Sequence, residues 1–320
     1  DAEALERLER TDTLLVDKTG TLTEGRPRVA EVVPAAGTSP DEVLRLAAAV
    51  ERGSEHPLAA AIVRAAEEKG LALPPTSDFA APAGKGVTAT IEGRRVRVGN
   101  AAWLAAEGID TAALAPEADR LRREGGIAVL VAADAAAIGV VGIADPVKPG
   151  AKAALEALRQ EGIRIVMVTG DSRVTAQAVA RELGIDAVEA EVLPEEKGAL
   201  VARYRAEGRR VAMAGDGVND APALAAADVG IAMGTGTDVA IASAGIALVG
   251  GDLVGIVRAR RLARAVMGNI RQNLGFAFVY NLAGVPVAAG ILYPAFGLLL
   301  SPTLAALAMA LSSVSVVGNA

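Results

Sequence analysis

The sequence predicts an α/β fold: a parallel-sheet domain assembled from two separated pieces of chain, interrupted by an inserted α+β domain and followed by two transmembrane helices. Three observations carry this. The apolar run Leu14-Leu15-Val16 stops abruptly at Asp17-Lys18-Thr19-Gly20-Thr21-Leu22-Thr23, which reads as a strand delivering a carboxylate to the end of a sheet. From Asp145 onward, short β-rich runs alternate with helices, the pattern of βαβ units and a parallel sheet. Finally, Leu274 to Leu292 carries no charge and is long enough to span the ~30 Å of a bilayer core.

The elements follow in order. Ala2 to Arg10 is a charged amphipathic segment leading into the first strand. Ser39-Pro40-Asp41-Glu42 combines an N-cap Ser, a Pro at the first helical position and a Glu three residues after the cap, so a helix runs to about Val50. A second helix, Leu58 to Lys69, is closed by Gly70. Val87–Ile91 and Arg95–Val98 alternate around Glu92-Gly93 as a β-hairpin, and Ile127–Val131 with Ala137–Ile143 form another strand pair. Beyond Asp145 come helix Lys148–Arg159, strand Ile163–Val168, helices Arg173–Leu183 and Pro194–Arg205, strand Arg210–Ala214 and a helix from Asn219. Thr303 to Val317 is a second uncharged run. The expected domains are therefore 1–24 with 144–260 around the parallel sheet, 25–143 as the insertion, and 261–320 as linker helix and membrane pair.

Composition narrows the function. A chain of 320 residues holds about two domains at ~150 residues each. Hydrophobic residues make up 52% and the mean hydropathy is +0.37, so some apolar surface should meet lipid. A net charge of -6 argues against a nucleic-acid partner. With no Cys there is no disulfide, thiolate metal ligand or Cys nucleophile. Arg258, Arg260, Arg261, Arg264 and Arg271 precede the first apolar run, which places that end on the cytoplasmic side of a cell inner or plasma membrane. Both ends look cut, as in a fragment of a longer membrane protein.

Several strand ends carry chemistry. Thr169-Gly170-Asp171 ends one strand where hydroxyl and amides can hold phosphoryl oxygens beside a helix start. Gly215-Asp216-Gly217-Val218-Asn219-Asp220 follows another, and two carboxylates four apart at a strand end suit a hard Mg²⁺ ion. Asp216 is the expected direct ligand, with Asp220 and Asn219 ordering its shell. Lys197, in Leu193-Pro194-Glu195-Glu196-Lys197, would neutralise charge there. There is no Gly-x-x-x-x-Gly-Lys-Ser/Thr loop, and Gly84-Lys85-Gly86 is not one, so a nucleotide must be held differently.

Together these strings resemble the P-type ATPases and the haloacid-dehalogenase-like catalytic core to which they belong. The string at 17–23 is similar to their phosphorylation signature, and Ser54-Glu55-His56-Pro57 to the His-Pro signature of the heavy-metal branch. The resemblance implies that Asp17 attacks the γ-phosphate of ATP and carries an aspartyl-phosphate. It implies that Asp17 and Thr19 join Asp216 and Asp220 around Mg²⁺, and that Thr169, Gly170, Asp171 and Lys197 stabilise the phosphoryl group. Glu51 and His56 are implied in adenine recognition, with Gly84, Gly86, Gly99 and Asn100 completing the pocket. Asp145-Pro146-Val147-Lys148-Pro149 would be the hinge of the inserted domain. Thr19 stands where many soluble phosphatases of this core carry a second Asp, so hydrolysis of the aspartyl-phosphate should be slow.

Tyr280 and Asn281 in one span, with Met309, Ser312 and Ser313 in the next, resemble the copper-transporting subgroup, and a thioether suits a soft ion such as Cu⁺ or Ag⁺. The family's Cys-Pro-Cys pair, its actuator domain with Thr-Gly-Glu and its upstream helices are not in this chain. The resemblance therefore implies the catalytic fragment of a copper-type translocase, with ATP and Mg²⁺ as cofactors. Its implied partners are the transported ion, membrane lipid, the rest of the parent pump and a metallochaperone. A Zn²⁺/Cd²⁺-type pump, a membrane-tethered phosphatase of the same core and a nucleotide-sensing fragment stay open at this point.

Overall fold

The computed structural model describes residues 2–319 apart from 235–237, 290, 292 and 297–300. Its elements divide into two compact units, one spanning Thr11–Ile256 and the other joining the N-terminal segment to Val257–Ala320.

Unit Thr11–Ile256 contains two six-stranded sheets. The first is parallel throughout. It runs β12 (Ile246–Leu248), β11 (Val229–Met233), β10 (Val211–Gly215), β1 (Thr13–Asp17), β8 (Arg164–Val168), β9 (Ala187–Glu189). β1 lies inside the sheet and is buried along its whole length, which is why it reads as an unbroken apolar run rather than an alternating one. Helices α6 (Ala151–Gln160), α7 (Arg173–Leu183), α8 (Lys197–Ala206), α9 (Ala221–Ala226) and α10 (Asp238–Ser243) connect its strands. The sheet thus closes across the two separated pieces of sequence, because β1 pairs with β8 and β10 from beyond residue 160.

The second sheet is antiparallel, in the order β2 (Arg28–Pro34), β7 (Ala136–Ala144), β6 (Ile127–Ala133), β5 (Arg94–Gly99), β4 (Gly86–Ile91), β3 (Thr76–Ala80). Helices α2 (Pro40–Glu51) and α3 (Pro57–Glu68) supply the apolar layer on one face of it, through Val43, Leu44, Leu46, Ala47, Val50 and Ile62. Trp103 and Leu104 of α4 (Ala101–Ala106) and Leu121 of α5 (Ala115–Arg123) build a second core against Leu130 and Val140. Ser39 caps α2 as expected, its hydroxyl accepting from the Glu42 amide at 3.1 Å.

Two connecting strands tie the sheets together. The Glu24 amide donates to the Pro146 carbonyl (2.8 Å), the Lys148 amide to Leu22 (2.9 Å), and Thr23 pairs with Val147. Asp145 accepts from the Thr23 hydroxyl (2.5 Å) and the Arg26 amide (3.0 Å), so the expected hinge is a hydrogen-bonded two-stranded ribbon. A second contact lies at α7, where the buried Thr175 hydroxyl donates to the Gly126 carbonyl (3.3 Å).

The other unit contains α1 (Ala2–Arg10), most of α11 (Val254–Ala288), α12 (Tyr293–Phe296) and α13 (Pro302–Asn319). The expected membrane pair needs correction here: among the described residues no helix is long and apolar enough to cross a membrane. Charged and amide side chains continue along α11 to Gln272 and Asn273, and Pro286 lies inside its last turn. The uncharged helical stretch 274–288 is therefore about 22 Å long at 1.5 Å per residue, short of the ~30 Å required. Residues 290 and 292, at the far end of the expected first span, lie outside the described residues. In α13, Ser312, Ser313, Ser315 and Asn319 dilute the apolar run.

Candidate functional site

The carboxyl ends of β1, β8 and β10 converge, and every expected phosphoryl-transfer residue sits on a loop leaving one of them or at the start of α8. That edge is where open parallel sheets bind ligands. Asp17 ends β1 and is only 5% exposed. Lys197, the first residue of α8, places its Nζ 2.7 Å from Asp17 Oδ1 and 2.7 Å from Asp220 Oδ1. Asp216 follows β10, and ligand oxygens of Asp17, Asp216 and Asp220 all lie within 4.8 Å of one another.

Three carboxylates facing one ammonium are electrostatically unbalanced. Burial pushes the Asp17 carboxyl up to about 7, and the Asp220 charge adds to this against the opposing pull of Lys197. Asp216 is raised for the same two reasons, with Lys148 pulling the other way. Burial disfavours the Lys197 ammonium, but Asp17 and Asp220 outweigh it and hold its pKa above the ordinary lysine value. A cluster of hard oxygen donors with surplus negative charge fits a divalent cation such as Mg²⁺.

The remaining residues of this set shape the rim. Thr169 is buried at the end of β8, and its hydroxyl accepts from the Asp171 amide at 3.1 Å. Gly170 is exposed beside it. Thr19 is exposed in the loop after Asp17, and Asn219 is exposed in the short turn Val218–Asp220. Two contacts escaped the sequence reading. Lys18 is buried and pairs with Asp171, tying the loop after Asp17 to the loop after β8. Gly20 adopts φ +72°, and a Cβ there would stand 1.6 Å from Asp216 Oδ2. Only glycine fits where the loop after Asp17 rests on that carboxylate.

A second cavity, of about 400 Å³, opens in the antiparallel domain. It collects all six expected nucleotide residues: Glu51, His56, Gly84, Gly86, Gly99 and Asn100. His56 caps α3, its Nδ1 accepting from the Leu58 amide (3.2 Å), and the Ser54 hydroxyl accepts from the His56 amide (3.3 Å). Asn100 caps α4 by accepting from the Trp103 amide (2.8 Å) while donating to the Gly84 carbonyl (3.1 Å). Burial raises the Glu51 carboxyl to about 7, partly offset by its bond with Ser54. Gly86 and Gly99 face each other across β4 and β5, and a Cβ on either would strike Trp103 or the opposite strand. Their smallness is thus demanded by strand packing as well as by the cavity; Gly84 alone faces open space.

In the helical unit, Tyr280 Oη lies 3.4 Å from Ser315 Oγ, a contact that brings α11 to α13. Met309 is 74% exposed, with its carbonyl accepting from Ser313, and Ser312 is half-buried. Asn281 is in α11; its side chain lies outside the described residues.

Comparison with known proteins places this arrangement among relatives. The haloacid dehalogenase-like hydrolase family matches residues 11–228. A copper-transporting P-type ATPase of Rhizobium leguminosarum bv. viciae is 60% identical over 320 residues, covering 100% of this chain and 38% of the relative. A silver exporting P-type ATPase of Salmonella typhimurium is 59% identical over 319 residues, covering 100% and 39%. A zinc-transporting PIB-type ATPase crystallised in the E2.Pi state superposes with a TM-score of 0.81 at 39% identity, over 99% of this chain and 50% of that one. A nucleotide-responsive CPx-ATPase catalytic domain matches with a TM-score of 0.63 at 33% identity, over 79% of this chain and 90% of that one. The chain spans less than half the length of the curated relatives named here.

Proposed function

The chain belongs to the haloacid dehalogenase-like hydrolase family, in its P-type ATPase branch, and from that premise we propose that it is the catalytic portion of an ATP-driven pump for Cu⁺ or Ag⁺. The observation that carries the reading is the Asp17–Lys197–Asp220 contact beside Asp216 at the sheet edge. ATP occupies the cavity of Glu51, His56, Gly84, Gly86, Gly99 and Asn100, with the adenine toward Glu51 and His56. A carboxylate oxygen of Asp17 attacks the γ-phosphorus; the bond to the β-phosphate oxygen breaks and ADP departs. Lys197 offsets the charge of the nucleophile, and Thr169 with the amides of Gly170 and Asp171 holds phosphoryl oxygens. Asp17, Thr19, Asp216 and Asp220, with Asn219 nearby, would hold Mg²⁺, which supplies neutralisation of phosphate charge. Because Thr19 offers no general base, the aspartyl-phosphate persists.

The ion is assigned from two lines of support. The copper and silver relatives are 59–60% identical, against 39% for the zinc transporter. Tyr280, Asn281, Met309 and Ser312 provide thioether, hydroxyl and amide groups, and a thioether suits a soft ion. In this reading the domains 1–24 with 144–260 and 25–143 work in the cytoplasm, and 261–320 belongs with the membrane part of the parent pump. Lipid, upstream helices, actuator domain and a metallochaperone are its partners.

The test is acid-stable phosphoenzyme formation from γ-labelled ATP in the parent protein, with Cu⁺, Ag⁺, Zn²⁺ or no metal. Label that requires Cu⁺ or Ag⁺ and vanishes in Asp17→Asn is the expected result. Label requiring Zn²⁺ reassigns the ion, and free phosphate released from small esters without trapped label replaces the pump by a phosphatase.

A further inference from the structure

Lys148 has no part in the phosphoryl-transfer set, yet it reaches the same sheet edge. It sits on the ribbon that joins the two sheets, its amide bonded to the Leu22 carbonyl. Its ammonium crosses to donate to the Gly20 carbonyl and, at 2.9 Å, to the Gly251 carbonyl. Those carbonyls belong to the loop after β1 and the loop after β12. Gly251 in turn rests on Gly234 of the loop after β11, since a Cβ on Gly251 would stand 3.0 Å from the Gly234 Cα. Gly20 packs directly on Asp216. One side chain of the hinge therefore staples two loops at the edge of the parallel sheet, one of which carries Gly20, the seat of Asp216. A cavity of about 600 Å³ lined by Lys148, Gly20, Asp216 and Gly251 leaves this staple accessible to water on one side.

The geometry points to Lys148 as a positioning residue, by which the hinge ribbon sets the place of Asp216 through Gly20; this rests on the cation-site reading proposed above. Any swing of the antiparallel domain moves the ribbon, and through the Gly20 carbonyl the ribbon moves Gly20, on whose Cα Asp216 packs. Burial lowers the Lys148 pKa, with the charges of Asp216, Asp145 and Asp252 pulling the other way. The two effects of Lys148 on a divalent cation have opposite signs. Its positive charge repels the ion, so electrostatics alone makes Lys148→Met bind a cation more tightly. Its hydrogen bonds hold a ligand in place, and losing such support typically weakens metal affinity by about tenfold or more.

The experiment measures Mn²⁺ binding to this 320-residue chain by the loss of free-ion electron paramagnetic resonance signal, in the wild type, Lys148→Met and Lys148→Arg. ATP binding is followed in parallel by fluorescence of Trp103, the one Trp of the chain, which packs beneath Gly86 and Gly99 of the nucleotide cavity. The expected result is Mn²⁺ affinity about tenfold weaker in Lys148→Met, partly restored in Lys148→Arg, with ATP affinity without metal unchanged within about twofold. Unchanged or tighter Mn²⁺ binding in Lys148→Met overturns the inference while leaving the cation site standing. Equal losses of Mn²⁺ and ATP affinity also overturn it, since they report general damage. A wild-type chain that takes no Mn²⁺ removes both this inference and the cation-site reading.

Discussion

Asp17 and Glu51 are both buried carboxyls pushed up to about 7, but in sites of opposite character. Around Asp17 the environment is crowded with charge: Lys197 stands 2.7 Å away, Asp216 and Asp220 offer oxygens within 4.8 Å, and burial strengthens each interaction. Around Glu51 there is burial and a single hydroxyl, Ser54. The first site adds neighbouring charges to its burial, and a cation can rebalance them. The second is tuned by burial alone. The difference teaches that one raised carboxyl can arise in two ways, among competing charges at Asp17 and from burial with a single hydroxyl at Glu51.

Lys197→Met should break the comparison most completely. It leaves Asp17 and Asp220 buried without their shared cation, and such loss typically costs about 3–5 kcal/mol. Chemical denaturation should show that loss, and phosphoenzyme should be undetectable.

Gly20→Ala should come next. Its Cβ at φ +72° strains the backbone and displaces Asp216, so about 2 kcal/mol of stability should go together with most Mg²⁺ dependence of phosphoenzyme formation. Normal Mg²⁺ dependence in a stably folded Gly20→Ala would show that Asp216 is not seated by this loop.

The pH dependence separates the two carboxyls. A carboxyl raised in the folded state binds more protons there than in the unfolded chain. Its contribution therefore falls as pH rises from the ordinary carboxyl range near 4 to about 7, and the loss is complete above that. Glu51→Gln should raise the melting temperature at pH 8 by about 3 °C and flatten this fall, with no sensitivity to Mg²⁺. Asp17→Asn should do the same only in the absence of Mg²⁺, because the ion offsets both the burial of the charge and the repulsion from Asp220. If Mg²⁺ erases the effect of both substitutions, the two sites are not electrostatically independent.

The smallest effect concerns the second contact between the two sheets' domains. Thr175→Val removes the bond to the Gly126 carbonyl while preserving shape, and should cost about 1 kcal/mol. Because β6 begins at Ile127, which lines the proposed nucleotide cavity, the same substitution should shift ATP affinity by no more than about threefold, read by Trp103 fluorescence. No change in either measurement would mean that this bond is exchanged for water at no cost.

Local chemistry made much of this protein legible in its sequence. Ser39-Pro40 announced α2, Gly70 the end of the helical segment before it, Glu92-Gly93 the hairpin of β4 and β5, and the buried strands ending in Asp17, Thr169 and Gly215 the rim of the parallel sheet. These signals act within a few residues, through capping, turn geometry and side-chain burial on both faces of a strand, so they need no partner to be read. The short edge strands β9 and β12 were not legible, because three residues carry too little pattern and owe their conformation to the neighbour that pairs with them. Strand β11 was hidden inside what reads as a helix from Asn219, which the sheet cuts short at Ala226. The length of α11 misled in the other direction, since composition suggests a span that its helical bounds and Pro286 do not complete.

What only the tertiary structure decided is which charges meet. Lys197 is 180 residues from Asp17, Lys148 is 128 from Gly20, and Lys18 finds Asp171 on a different loop. The residue types were in the sequence, but the pairing of β1 between β8 and β10 brings them together. Burial there removes the water that would otherwise screen each charge, so residues distant in the chain come to set one another's protonation.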